Sequence, residues 1–425
     1  MKELKKWAAL LAAGCCVIIS QSSFAADAPP PAPAPCVAPS SWFSGKSIPK
    51  PNPNTSPFVT NCDFHQFSWQ AFLWLTDATK TGKLRFETLY SDSAIDPKNR
   101  QPRQHILGGV QQANSHGILV DQNGRAVYTT MMIDDIYRKF VIKNKLYTGA
   151  GMQKVDPKLA FPSGALSLKA AWKIVEKGED TSRFYTTTAK IKLLAPAGDG
   201  VNIPANPKIV TAKVALVGFH IAEVVNGHPE AIWATFEQVD NAPDFNKNQT
   251  MSGIVSDKSF TFYKAGTTAA DCNPNNASII KIDATTQKLT PVTQACRQFR
   301  NGGGTDQNMA NIDTLNQSVH AQLPASSLWK NYMEVGAIWF NTPNALTPDW
   351  NPNTDGSLVT GSKLLSSSAI ETFTQNTTSQ HQCFSCHNTM AVADTNDITR
   401  TLPGKNVNTS HILLQKYLQV QSVKR

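Results

Sequence analysis

Several protein classes are excluded by what these 425 residues lack. Beyond the first 25 positions there is no apolar run of the ~20 residues that a bilayer-spanning helix requires. No internal repeat is present, which removes solenoids and propellers. The glycine fingerprint of a dinucleotide site is missing. Asn301-Gly302-Gly303-Gly304 is not followed by the Lys-Ser/Thr of a phosphate loop, so it reads as a flexible turn. Charge is sparse: Asp, Glu, Lys and Arg make up 17% of the chain, and the net charge of +9 is dispersed rather than gathered in blocks. A basic surface of this kind can steer encounters with acidic redox proteins or anionic lipid, and nucleic acid is not an expected partner. No Ser/His/Asp or paired-carboxylate set emerges from spacing alone. What remains, with 41% apolar residues, has the balance of an ordinary globular protein.

The first 25 residues read as a leader that is cut away. Lys2, Lys5 and Lys6 form a positive n-region, Trp7 to Ile19 an apolar stretch too short for a span, and Ser23-Phe24-Ala25 supplies small residues before a cut at Ala26. Removal of this leader, with Glu3 in it, lowers the net charge by two to +7. A lipoprotein signal at Ala12-Ala13-Gly14-Cys15 competes. Ala12 stands where a larger aliphatic is usual, however, and the apolar run continues past Cys15, so plain export to the periplasm is preferred over a lipid anchor.

Export fixes the redox compartment, because disulfides persist outside the cytoplasm. Six cysteines remain after Cys15 and Cys16 are lost: Cys36, Cys62, Cys272, Cys296, Cys383 and Cys386. The last two stand apart, being closely spaced and followed by histidine. Loop-closure statistics pair the other four as near neighbours, Cys36 with Cys62 and Cys272 with Cys296.

Residues 26–60 hold ten of the 26 prolines and read as a semi-rigid tether over the domain surface, pinned by Cys36. A main domain over 61–376 follows. It opens on an amphipathic helix marked by Phe64, Phe67, Ala71, Phe72 and Leu75. Gln122-Asn123-Gly124 between two apolar runs predicts a hairpin, and a helix is expected from Asp134 to Leu146. Leu166, Leu168, Ala170, Trp172 and Ile174 alternate with Ser167, Lys169, Ala171 and Lys173, the pattern of a half-buried strand whose lysines face solvent. Further strands are expected over 183–192, 208–225, 231–238 and 330–340, and a helix over 310–323. Residues 252–304 read as an irregular insertion, and Trp172, Trp233 and Phe236 as core aromatics. Glu237 and Asp240 read as turn or network residues. The fold class is α+β, an antiparallel-strand-rich domain carrying a C-terminal extension over 377–425.

That extension contains Gln382-Cys383-Phe384-Ser385-Cys386-His387, a C-x-x-C-H. Two thiols three positions apart can each add to one vinyl group of a haem, and the next histidine is then placed as an iron ligand. A thioredoxin-like dithiol would open a helix after a strand, whereas residues 375–382 are polar and loop-like. A zinc site would need further ligands, with His381 the only nearby candidate. A disulfide across two residues is strained.

The motif resembles the attachment site of c-type cytochromes, and the resemblance implies Cys383 and Cys386 as thioether positions, His387 as proximal iron ligand, and one covalent haem c. The chain departs from the small cytochromes, in which a methionine ligand lies well downstream. Only 38 residues follow His387, and their one methionine, Met390, is too near to cross the ring. Phe161-Pro162-Ser163-Gly164-Ala165, Lys169-Ala170-Ala171-Trp172, Val217-Gly218-Phe219-His220-Ile221 and Ile232-Trp233-Ala234-Thr235-Phe236-Glu237 are similar to segments of a group of large periplasmic bacterial cytochrome c family proteins. That similarity implies a shared fold and no particular activity.

The sixth iron ligand has to come from upstream. His220 is the first candidate, on a central strand beside Trp233; Met333 is the second, and His411, at the start of a final helix, the third. The functions expected are electron transfer between periplasmic redox partners, a haem-dependent oxidoreductase or redox-coupled binding protein that uses the large domain as a pocket, and a haem-based sensor.

Overall fold

Helix caps and apolar periodicity account for most elements of the computed structural model, which describes residues 34–55, 58–113, 115–198, 200–364, 367–375, 382–394 and 397–418. The leader, the Pro29–Pro31 run and His381 lie outside these. Helix α1 (Asn61–Leu75) starts where Thr60 accepts from the Asp63 N–H and the Asp63 carboxylate accepts from Thr60, a reciprocal cap. Helix α2 (Asp135–Lys143) starts on the Asp134 carboxylate and stops short of the expected Leu146. Lys145 adopts a left-handed φ of 57°, and the Leu146 N–H turns back to the Val141 carbonyl, the wrap that ends a helix. A short α3 (Gly149–Lys154) follows, and α4 (Asp306–Gln322) begins on a Thr305 cap.

Nine strands make the main sheet among the described residues: β1 (Tyr90–Ser91), β2 (Ile106–Leu107), β3 (Val127–Ile133), β4 (Leu166–Ile174), β5 (Thr186–Lys192), β6 (Ile209–Val225), β7 (His228–Gln238), β8 (Tyr332–Phe340) and β9 (Val359–Gly361). Their order is β1-β3-β4-β6-β7-β8-β9, with β5 alongside the start of β6 and β2 alongside β5. Every pairing is antiparallel except β2 with β5. The architecture is thus the expected mixture of α and β built on a large antiparallel sheet. The Asn-Gly hairpin is present: Val120 bridges Ala126, and Gly124 takes the φ of 81° that the turn needs.

One face of the sheet, with Leu168, Ala170, Phe219, Ile221, Ala234 and Phe236, receives α1 and α4. Phe72 of α1 is fully buried and stacks on Phe236 with ring centroids 4.3 Å apart. The proline-rich segment from Cys36 to Thr55 lies over these helices. Its Ala38 and Pro49 carbonyls accept from Gln322 and Gln70, and Cys36 is bonded to Cys62. Cys272 is bonded to Cys296, so both expected pairings are present.

The opposite face is also covered, which corrects the half-buried reading of β4. Phe262 and Ala295 of the insertion pack with Ala171, Val217, Ala369 and Ile370. Lys173 is only 3% exposed and is held by Glu179. Alternation along a strand records side-chain polarity, and it cannot report that a distant segment returns to cover the polar side. Residues from Cys36 onward form one compact unit. No described helix is long and apolar enough to cross a membrane.

Two predictions follow from this packing. Phe72→Ala removes a ring from a filled site and should cost about 3–5 kcal/mol in denaturant unfolding; a loss below ~1 kcal/mol would contradict the aromatic stack as a core element. Glu223 is 3% exposed, and burial, reinforced by the charge of Asp134 and opposed by Lys50, pushes its carboxyl up to about 8. Folded protein keeps this proton after the unfolded chain has released it near its ordinary 4.5. Stability therefore falls as pH rises through that window, by up to ~1.4 kcal/mol per pH unit. Glu223→Gln should flatten the fall in unfolding midpoints, and parallel curves for the two proteins would refute it.

Candidate functional site

The C-x-x-C-H motif forms a single helical turn, α5 (Cys383–Cys386), lying against the second face of the sheet. The His387 N–H closes it on the Cys383 carbonyl at 2.8 Å, and the i, i+3 spacing puts both sulfurs on one side. Phe384, fully buried, anchors the turn between Phe340 and Trp350 at 5.0 and 5.7 Å. Cys383 and Cys386 are free thiols, unlike the other four described cysteines. Burial pushes both thiols up, and the charge of Glu371 acts in the same direction.

His387 is the most constrained group of the motif. Its ring packs between Trp233, with centroids 4.1 Å apart, and His411, stacked at 3.9 Å. Its Nδ1 donates to the Thr409 carbonyl at 2.9 Å, since a carbonyl can only accept. The lone pair is thereby left on Nε2. Burial, then the charge of His411, hold the imidazole well below its ordinary pKa, with the Thr409 bond opposing them, so the ring is neutral near pH 7. A neutral imidazole with Nδ1 tied to a carbonyl and Nε2 free is the form that ligates a metal. The Thr409 carbonyl is supplied by a 3₁₀ turn (Asn406–Thr409) leading into helix α6 (His411–Leu418), whose Leu413 and Tyr417 pack with Ile133 and Val141. The His411 Nε2 lies 3.0 Å from the Cys386 carbonyl, which ties this helix to the turn.

A polar row runs across the same sheet face. Lys169 of β4 is opposite His220 of β6, and His220 is opposite Thr235 of β7. His220 Nδ1 is 2.7 Å from the Thr235 hydroxyl, and Nε2 is 3.0 Å from Glu371 Oε2. Those last two atoms are buried, and the contact is out of line for a hydrogen bond, so neither is satisfied. Burial opposes ionisation of Glu371, yet the charge of His220, with that of Lys169 and a hydrogen bond from Ser367, outweighs it and holds the carboxyl below its ordinary range. Burial lowers the Lys169 amine, with the charge of Glu371 opposing; this lysine is not the solvated side chain that its strand position suggested. A narrow cleft of about 10 Å³, room for roughly one water, adjoins the row, lined by Trp233, Thr235, Gly302, Ile338, Ser367 and Cys383.

The structure therefore gathers Cys383, Cys386, His387, His411, Trp233 and His220 around one region. Met333 is half-buried on β8 opposite Glu237, two positions along β7 from Thr235. Glu237 is a buried network residue, as expected, bound by Arg297 and Ser368, and Asp240 pairs with Arg183 nearer the surface. Glu371, Thr235 and the Thr409 carbonyl were not recognisable beforehand: a carboxylate in irregular chain and a backbone oxygen leave no periodic signal. Among the described residues no three His, Cys, Asp or Glu side chains converge as a metal-binding group. The donor set fits attachment of a haem: two unbridged thiols one turn apart, and an adjacent imidazole with its Nε2 lone pair exposed to ligation. No family model, no curated protein and no solved structure matches this chain.

In processed apoprotein the two thiols should be countable. Denatured without reductant it should present two reactive thiols, with peptide mapping placing them at Cys383 and Cys386. A count of zero, with these two joined, would remove the attachment site.

Proposed function

We propose that this chain is an exported, periplasmic c-type cytochrome with one covalent haem, which passes electrons between redox partner proteins. The carrying observation is His387: a half-buried, neutral imidazole, oriented by Thr409 and by two flanking rings, directly after two free thiols. Cys383 and Cys386 would hold the haem as thioethers and His387 would ligate its iron, in a C-terminal extension packed on the main domain. When bound, haem supplies a one-electron couple, and its surroundings set the potential. The chain's own contribution is orientation and exclusion of water. Trp233 and His411 fix the plane of the imidazole, the carbonyl of Thr409 fixes its tautomer, and Phe384 locks the turn to the sheet. Export agrees with the two disulfide bonds, which persist in an oxidising compartment.

Expression in a host with the periplasmic haem-attachment machinery tests this. Coloured protein whose pyridine haemochrome spectrum is that of thioether-linked haem is expected. Cys383→Ala with Cys386→Ala should abolish the covalent colour while the denaturant midpoint of the apoprotein stays nearly constant. A colourless wild type from a competent host would contradict the proposal.

A further inference from the structure

Attachment through Cys383, Cys386 and His387 leaves the polar row on the sheet without a task, although burying it is costly. A buried imidazole nitrogen or carboxylate oxygen left without a hydrogen bond loses its hydration with nothing in return. His65, on the other face of the sheet, has both nitrogens partnered, Nδ1 2.7 Å from Glu334 and Nε2 3.0 Å from Asn308, whereas His105, away from the motif, also keeps one buried nitrogen without a hydrogen bond. His220 has one partnered nitrogen. Its Nε2 faces Glu371 Oε2, and neither atom has a hydrogen bond.

We infer that His220 would be the second protein ligand of the haem iron, in addition to His387, with Thr235 as the residue that positions it. This rests on the haem reading above. The Thr235 hydroxyl 2.7 Å from Nδ1 can accept the Nδ1–H, and that tautomer leaves the Nε2 lone pair facing Glu371. In that tautomer two electron-rich atoms stand 3.0 Å apart, a contact that a proton on Nε2, or a cation ligated by it, turns from repulsive to attractive. The carboxylate keeps the hydrogen bond of Ser367 and the charge of Lys169 when Nε2 turns to a metal.

Position supports the same assignment. Thr235, the partner of His220 Nδ1, lines one cleft with Cys383 and Trp233, and Trp233 packs on His387 at 4.1 Å, so these groups border one space. His220 sits on β6, paired with β4 on one side and β7 on the other, which is a rigid mounting for a ligand. The competitors are placed less well. His411 stacks on His387 itself, and its Nε2 lies against the Cys386 carbonyl. Met333 stands opposite Glu237, displaced along the sheet from Thr235. Lys169 would first have to lose its proton, against the charge of Glu371.

An internal second ligand saturates the iron and makes the protein an electron carrier rather than a binder of small molecules. The test is the coordination state of holoprotein, read by ferric electron paramagnetic resonance and by absorption of the ferrous form under carbon monoxide. Wild type should be low-spin, with no ready carbon monoxide complex. His220→Ala should lose the low-spin signal and take up carbon monoxide at once, and Thr235→Val should leave a mixture of spin states. His220→Met, which keeps a bulky ligand in the core should alanine fail to fold, should restore a low-spin haem with the charge-transfer band of a sulfur ligand. Covalent haem in His220→Ala with an unchanged low-spin spectrum would overturn the inference while leaving the haem reading intact. So would a wild type that is already high-spin. A wild type with no covalent haem would instead overturn the functional reading beneath it.

Discussion

The hydrogen bond from His387 Nδ1 to the Thr409 carbonyl is the constraint on which the site depends. It joins two stretches of the C-terminal chain 22 residues apart and decides which imidazole nitrogen can act. Without it the ring could choose either tautomer, and the two thiols would precede a histidine of no fixed direction. Around that bond the packing is aromatic, with Trp233 on one side and His411 on the other. Trp233 belongs to β7, so the sheet itself sets the angle of the ring.

A sheet covered on both faces makes this possible. Its first face buries the aromatic cluster of α1 and α4, which supplies cohesion. Its second face carries Lys169, His220 and Thr235 under the returning C-terminal chain. Polar groups buried in such a place are tolerated where they are satisfied or where a ligand satisfies them. Glu237 is of the first kind, bound by Arg297 and Ser368, and on the proposed reading the contact between His220 and Glu371 is of the second. The insertion over 252–304 is part of the core, through Phe262 and Ala295, rather than an ornament on it.

Much of this was legible in the sequence. The long strands β4, β6, β7 and β8 and helices α1 and α4 announce themselves by period and caps, and each lies within a few residues of its expected bounds. The disulfide pairs follow from short loops. The motif itself gives Cys383, Cys386 and His387. What periodicity could not convey is which distant segment returns over a polar face. Lys169 and Lys173 read as solvated because nothing local encodes the insertion or the C-terminal chain that covers them. Glu371 was invisible for the same reason, since its meaning comes from His220, 151 positions earlier on another element. The end of α2 was missed because a lysine in left-handed backbone does the work usually given to glycine.

The measurement that bears most directly on the account is mass analysis of the peptide spanning Cys383 to His387, from denatured and digested protein made in a haem-attaching host. The account predicts that this peptide retains one haem through denaturation, on both sulfurs. A peptide of unmodified or mutually bridged cysteines, with any haem washed away, would contradict it.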